Sequence, residues 1–401
     1  MNDGSAHKRG TRQGSVHERV VRELDALRAR SQFRTLDTPS GIDLCSNDYL
    51  GLATDPRLKR AVLDAAARAN SVGATGSRLL SGNSREWQEM ESYFAEFAGT
   101  EAALYFGSGY AANLGLLGSL LKPGDIVFSD AYNHASLIDG IRLARAKKII
   151  YPHGDLQFLE SALRALAGAP GARVIVTETV FSMEGDVAPL ESILRLAKEF
   201  GAELVVDEAH AIGVCGPRGR GIAAELGIER EILAIVHTCG KALAGAGAFV
   251  CCGGALKDYL VNHARTFIFS TAMPPYLAGQ IRAAVDLARE AEYDRIHLRE
   301  IASLLRDGLA AADIDFGAST THIVPVLLGS NDTALHVASE LQRNGFAVRA
   351  IRPPTVPPGT ARLRISLTSK ITRDDVRLLV DTIDAACKSA PQAAPASAVH
   401  A

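Results

Sequence analysis

An α/β fold is predicted, with a mostly parallel central sheet and a smaller C-terminal α+β domain. From about residue 100 to residue 240, short and almost continuously apolar runs alternate with stretches of ten or more residues at helical spacing. Strands that are apolar on both faces belong to a parallel sheet covered by helices on each side. Beyond about residue 274 the pattern changes to one long helical stretch and then a second, smaller set of strands and helices. A chain of 401 residues is also long enough to bury a large core and to carry more than one lobe.

Taken in order, residues 1 to about 15 are polar and read as disordered. Residues 16–30 place Val20, Leu24 and Leu27 at helical spacing, which predicts an amphipathic arm. Trp87, Met90, Phe94 and Phe97 share one face of a helix at 84–98. Strands are expected at 103–106, 125–130, 147–151, 173–180, 202–209 and 232–238. Pro274 and Pro275 open a helical stretch to about 312. The smaller unit has a strand at 322–328, a helix at 332–344, strands at 347–351 and 361–368, and a closing helix at 372–387. The tail from Ala390 is low in complexity and reads as disordered. The domains that follow are an arm at 1–45, a large domain at 46–285, a small domain at 286–387 and a tail at 388–401.

Apolar residues make up 47% and charged residues 22%, the balance of a soluble globular protein. With 43 basic and 45 acidic side chains the net charge is −2, so nothing in the bulk charge favours nucleic acid or a membrane surface. No apolar run approaches the ~20 residues that span a bilayer. The N-terminus has no apolar core of a secretory signal, so the cytoplasm is the expected compartment. Six cysteines form no CxxC pair and no histidine cluster has zinc spacing; reduced, buried thiols and no metal are expected.

The segment ALYFGSGYAANLGLLGSLLKPGDIVFSD reads strand, Gly107-x-Gly109-x-x-Ala112, helix, strand, with Asp130 about 20 residues on. That order is close to a dinucleotide fingerprint. A glycine-rich turn entering a helix binds any phosphate, however, because its free amides and the helix dipole favour an anion. Both readings stay open on this segment alone.

Two further segments carry chemistry. In AELVVDEAHAIGVCGPRGRG, Asp207 ends an apolar strand and His210 follows three residues later. In VHTCGKALAGAGAF, Lys241 follows a strand and sits among glycines and alanines. An isolated aspartate at a strand end is commonly a helix cap or a surface charge. A lysine in an apolar, small-residue setting is harder to dismiss, because burying its ammonium lowers its pKa and makes it a competent amine nucleophile. Pyridoxal 5'-phosphate needs this set: a lysine for its aldehyde, a carboxylate that keeps its pyridine nitrogen protonated so that the ring acts as an electron sink, and donors for its phosphate. Ser108, Gly109 and Tyr110 supply the turn, and Thr238 adds a hydroxyl. His134, in NHASLIDG, is the candidate for covering the ring face, although a lone histidine also reads as a satisfied structural one.

The blocks CSNDYLGL, SGYAAN, SDAYNHASLIDGIRLARA, VTETVFSMEGDVAPL, VDEAHAIGV, HTCGKALAGAGAF and FIFSTAMPP, in this order, resemble the α-oxoamine synthases, pyridoxal-phosphate enzymes of the aspartate-aminotransferase fold type (fold type I). The resemblance runs from about residue 42 to 386. It implies a condensation between a small amino acid and an acyl thioester in a homodimer with shared active sites. The block VRAIRPPTVPPGTARLRISLT is most similar to the branch that joins L-alanine to a pimeloyl thioester, on CoA or on acyl carrier protein, with loss of carbon dioxide on the way to biotin. A member that condenses glycine with acetyl-CoA is the nearest alternative, and a dinucleotide-dependent dehydrogenase a remote one.

Carried onto this chain, the resemblance implies that Lys241 holds the cofactor and takes the Cα proton. Asp207 pairs with the pyridine nitrogen, His210 bonds the ring hydroxyl, and His134 stacks on the ring and donates to the developing oxyanion. Glu178 and Ser182 lie near cofactor and substrate, and Asn47 near the reacting centre. Arg364 binds the amino-acid carboxylate, which suits a planar guanidinium fork. Ser270 and Thr271 reach the phosphate of the neighbouring subunit. Ser77 stands where some glycine-specific members have threonine, which leaves room for the methyl of alanine. Arg34 of the N-terminal arm is assigned to the acyl group, and Arg352 and Thr355 to the substrate.

Overall fold

The computed structural model describes residues 15–38 and 40–390; the ends expected to be disordered, 1–14 and 391–401, lie outside the described residues. The arm forms helix α1 (Val16–Ala29), started by a capping box in which Ser15 and Glu18 each satisfy the other's backbone amide. None of its residues is buried, so the expected apolar stripe lies on the surface.

The chain then passes through β1 (Ile42–Asp43), α2 (Pro56–Arg68) and α3 (Arg85–Ala98). Strands and helices alternate next: β2 (Ala102–Phe106), α4 (Gly109–Leu120), β3 (Ile126–Asp130), α5 (Ala135–Ala144), β4 (Lys147–Tyr151), α6 (Leu156–Ala165), β5 (Arg173–Glu178), α7 (Leu190–Glu199), β6 (Glu203–Asp207), α8 (Ile222–Leu226), β7 (Ala234–Thr238) and β8 (Ala248–Cys252). They build one seven-stranded sheet in the order β2-β8-β7-β6-β5-β3-β4. β3 to β7 pair in parallel, whereas β8 runs antiparallel to both β2 and β7. The mostly parallel sheet is as expected. β8 is an addition, because AFVCC follows directly on a run of Gly and Ala with turn character.

Alternation along the strands divides the core. Leu104, Val174, Val176, Val205 and Val236 face Leu116 and Leu117 of α4 and Leu137 and Ile141 of α5. Tyr105, Ile175, Leu204, Val206, Ile235 and Phe249 belong to the other layer, with Trp87 and Phe94 of α3 and Ile193 of α7. This two-sided burial is why the strands read as unbroken apolar runs.

The dinucleotide reading of residues 103–130 is overturned by topology. A dinucleotide site needs β2 and β3 as adjacent parallel strands, but four strands separate them. Asp130 is also engaged elsewhere, by His153.

After α9 (Gly254–His263) and α10 (Arg265–Ile268), the long helical stretch is two helices, α11 (Pro275–Glu290) and α12 (Glu292–Ala311), meeting at Ala291. The smaller unit comprises β9 (Ile323–Gly329), α13 (Asn331–Arg343), β10 (Phe346–Ala347), β11 (Ala350–Ile351), β12 (Ala361–Ser366) and α14 (Arg373–Ser389). The single strand expected at 347–351 is a correction: β10 pairs with β1, while β11 pairs with β12, so Val348 and Arg349 carry the chain from one sheet to another. The closing helix runs to Ser389, past the expected 387.

Among the described residues no helix is long and apolar enough to cross a membrane, and no cluster of His, Cys, Asp and Glu is arranged to hold a metal. All six cysteines are free thiols; Cys239, Cys251 and Cys252 are buried, while Cys45, Cys215 and Cys387 are only partly so.

Candidate active site

The parallel strands deliver their last residues to one edge of the sheet, where open α/β folds bind ligands. Glu178 ends β5, Asp207 ends β6 and Thr238 ends β7. Ser108 is the N-cap of α4 and His134 the N-cap of α5. A cavity of about 280 Å³ opens between them, lined by Ser108, Gly109, Tyr110, His134, Glu178, Asp207, His210, Thr238 and Lys241, together with Asn113, Ser136 and Ala209. Nine residues singled out in the sequence therefore meet in one place.

Lys241 lies in the turn from β7 to β8, and its Nζ is 3.0 Å from His210 Nε2. Burial lowers the pKa of this amine, against the opposing pull of Asp207 and Glu178. The other ring nitrogen of His210, Nδ1, lies 2.6 Å from the Tyr49 hydroxyl. Burial, then Lys241 and Arg364, hold the His210 imidazole well below its usual pKa, so the ring is neutral. Asp207 is fixed from two sides: Asn113 Nδ2 donates to its Oδ2 at 2.7 Å and the Ala209 amide donates to its Oδ1 at 2.8 Å. Asn113 Nδ2 also reaches Ser136 Oγ at 2.9 Å. Glu178 is buried, and burial together with Asp207 raises its pKa well above the usual carboxylate value. The cavity thus presents two acidic side chains, one of them made a weaker acid by burial, and an amine of lowered basicity.

The phosphate-sized end is built by α4. Ser108 Oγ accepts from the Ala111 amide at 3.0 Å, and the amides of the first turn face outward. A Cβ at Gly109 would stand 2.7 Å from Thr238 Cγ2, so only glycine leaves this corner open. Tyr110 turns its hydroxyl away, donating to Asp139. Glu178, in the wall of the same cavity, has its Oε1 buried without a partner. Residues and space fit a phosphorylated heterocyclic aldehyde.

Arg364, on β12, does not line the cavity but is linked to its His210 through Tyr49. Its Nη2 donates to Asn47 Oδ1 at 3.0 Å and approaches the Tyr49 hydroxyl at 3.5 Å, while its Nε donates to the Ser182 carbonyl. Tyr49 Oη lies 3.0 Å from Asn47 Oδ1, and burial pushes the phenol up to about 12. Tyr49 therefore couples the guanidinium to His210. Neither Tyr49 nor Asn113 was among the expected site residues, although they stand inside the CSNDYLGL and SGYAAN blocks.

The sequence profile of the class I and II aminotransferases matches residues 39–383. The chain is 43% identical over 376 residues to an 8-amino-7-oxononanoate synthase of Geobacter sulfurreducens, covering 90% of this chain and 96% of that protein. The chain belongs to the class I and II aminotransferase family, in its α-oxoamine synthase branch. Among solved structures, an 8-amino-7-oxononanoate synthase from Francisella tularensis is 31% identical with a TM-score of 0.76, covering 87% of this chain and 98% of that one. A serine palmitoyltransferase from S. paucimobilis with a bound PLP–myriocin aldimine is 29% identical with a TM-score of 0.85, covering 94% and 99%. The α-oxoamine synthase fold, fold type I with its smaller C-terminal domain, is the fold of this chain.

Nine expected site residues do not line the cavity of this α-oxoamine synthase chain: Arg364, Asn47 and Ser182 are linked to it through Tyr49 and His210, and six others lie apart from it. Ser77 pairs with Thr271 in an isolated antiparallel bridge, next to a hydrogen bond from the Ala272 amide to the Gly76 carbonyl at 2.9 Å. Ser270 and Thr271 are exposed there. Arg34 Nη2 donates to Thr355 Oγ1 at 2.8 Å, and the Arg352 guanidinium donates to the Ser31 carbonyl. Burial, then Arg34, lower the pKa of Arg352. The structure brings these three together where the arm meets the C-terminal unit, and none of them lines the cavity.

Proposed function

We propose that this chain condenses L-alanine with a pimeloyl thioester, releasing carbon dioxide and the free thiol, the reaction of an 8-amino-7-oxononanoate synthase. One observation carries the reading: a lysine of lowered basicity and a doubly held aspartate line a single cavity, and a buried arginine is linked to its His210 through Tyr49. The 43% identity to a relative of that name supports the choice of substrates.

Pyridoxal 5'-phosphate, bound here, would supply an aldehyde for attachment and a protonated ring that takes up the electron pair left at Cα. Ser108, the α4 amides at Gly109 and Tyr110, and Thr238 would hold its phosphate. Asp207, kept in place by Asn113 and the Ala209 amide, would keep the ring nitrogen protonated. Glu178, a weaker acid through burial, resists adding a second negative charge beside it. His210, neutral and tied to Tyr49, is placed to bond the ring hydroxyl. His134 would cover the ring and donate to the oxyanion that forms on the thioester carbonyl. Arg364, steadied by Asn47 and the Ser182 carbonyl, would take the amino-acid carboxylate. Lys241, its basicity lowered by burial, would hold the aldehyde and serve as the base for the Cα proton.

The residues off the cavity acquire roles in a homodimer. Ser77, Ser270 and Thr271 would serve the second copy's site, and Arg34, Arg352 and Thr355 would meet the acyl group, carried by CoA or by acyl carrier protein. We place the reaction in the cytoplasm, in keeping with six free thiols.

Thiol release is the direct test. Pimeloyl-CoA with L-alanine is expected to turn over well above acetyl-CoA with glycine; the opposite ranking overturns the substrate assignment and the role of Ser77. Lys241→Ala is expected to lose the absorbance of the covalently held cofactor and to lose turnover by roughly 10²–10⁴-fold or more. Normal turnover in that variant would reject the site.

A further inference from the structure

Outside the cavity, a histidine is gripped by two aspartates. His153 lies just beyond β4; its Nδ1 is 3.0 Å from Asp130 Oδ1 and its Nε2 is 2.8 Å from Asp186 Oδ2. With a carboxylate oxygen at each ring nitrogen, both nitrogens must carry protons, and the ring is an imidazolium. Tyr132 stacks on it at 4.4 Å and Phe181 meets it edge-on at 4.4 Å, leaving the side chain 19% exposed. Burial works against the charge, but the two carboxylates override it and push the pKa up to about 10. Glu184 also faces this site, and it is paired with Arg362 at 3.0 Å.

Each aspartate belongs to a segment that serves the cavity. Asp186 lies in the loop from β5 to α7. The same loop presents the Ser182 carbonyl to Arg364 and Glu184 to Arg362, two residues apart on β12. The loop is therefore strung between His153 on one side and the two β12 guanidiniums on the other. Asp130 ends β3 and accepts from the Tyr132 amide at 2.8 Å, shaping the turn that delivers His134. Its second oxygen accepts from the Gly154 amide at 3.3 Å, which ties the turn back to His153's own loop.

We propose that His153, as a permanent cation between Asp130 and Asp186, is a positioning residue that aims Arg364 through Ser182 and aims His134 through the turn after β3. The inference rests on the reading of Arg364 as the group that holds the amino-acid carboxylate. It also gives Asp130 a role, since the acidic residue of the dinucleotide-like pattern becomes one jaw of this clamp.

The test uses the holoenzyme. L-Alanine affinity is read from the absorbance of the bound cofactor, cofactor retention by dialysis, and KM and kcat from thiol release. Asp186→Asn is expected to raise the L-alanine Kd about tenfold with the acyl-thioester KM and cofactor retention unchanged. Asp130→Asn is expected to lower kcat and cofactor retention with little change in the L-alanine Kd. His153→Gln should show both signatures at once. If the two aspartate variants give the same profile, or if all three lower Tm and kcat without touching the L-alanine Kd, the ring is only structural and the proposal falls. Arg364→Lys separates the two readings. Should it leave the L-alanine Kd unchanged, the carboxylate assignment fails and takes the clamp's function with it. Should it raise that Kd while His153→Gln does not, the clamp alone is wrong.

Discussion

Asn113 holds the key carboxylate of the site with one amide. Its Nδ2 is shared between Asp207 and Ser136, so truncation removes a bond to a charged group and leaves the aspartate free to turn. A lost bond of this kind costs about 1.5–3 kcal/mol, roughly ten- to a hundredfold in an equilibrium constant. Asn113→Ala is expected to weaken cofactor binding by that factor in equilibrium dialysis, with the sheet intact; undiminished retention would show that Asp207 is held by the Ala209 amide alone. Residues of this kind are the hardest to read in a sequence. Lys241 stands out because a lysine in an apolar, small-residue setting is anomalous by itself, and Asp207 gains its meaning from the lysine. Asn113 and Tyr49 are unremarkable until their partners are known, and those partners lie 94 and 161 positions away. Ser77, Ser270 and Thr271 show the converse: motif likeness points to them, yet they lie off the cavity, and the role proposed for them needs another copy.

Helix α4 illustrates how much an element depends on its non-local setting. Its entry sequence carries every local mark of a phosphate turn, and that much was legible. Which phosphate it suits was not, because the strand that β2 pairs with is β8 and not β3. The same limit explains the residues at 347–351, where an extended, apolar run is locally correct but the two ends pair with different sheets. At the start of α4, the close approach of Thr238 makes Gly109 the residue whose enlargement is felt first. Gly109→Ala is expected to reduce affinity for pyridoxal 5'-phosphate while leaving affinity for unphosphorylated pyridoxal nearly unchanged, as dialysis of each would show. An equal loss for both would move the phosphate away from this turn.

Across the whole molecule, buried titrating groups set the pH range of stability. His237 and His322 are pushed down to about 3 by burial. Unfolding frees them to bind protons near their ordinary value, so their contribution is complete above about pH 6.5 and is lost as pH falls towards 3. His153, at about 10, has the opposite sign: the folded state holds its proton more tightly, so its contribution is full below about pH 6.5 and disappears as pH rises through 10. Glu208, raised to about 8 by burial, adds a loss in the same direction between about pH 4.5 and 8. The melting temperature is expected to peak near neutrality and fall on both sides. The gap in Tm between the native chain and His153→Gln should narrow steadily from pH 6.5 to 10. A gap that stays constant with pH would mean that the ring is not charged.

The one strand that runs backwards bears on how the enzyme is born. Because β8 zips between the edge strand β2 and β7, Ala102 must wait for Cys252 before it has a neighbour in the sheet. Closing so large a loop is slow, since chain entropy is lost before contacts repay it. Until that late pairing, the turn carrying Ser108 and the turn carrying Lys241 are not opposite walls of anything. Yellow colour returning during refolding is therefore a clock for the completion of the sheet, and a nascent chain released before residue 252 should be unable to retain the coenzyme, however well its first helices have formed.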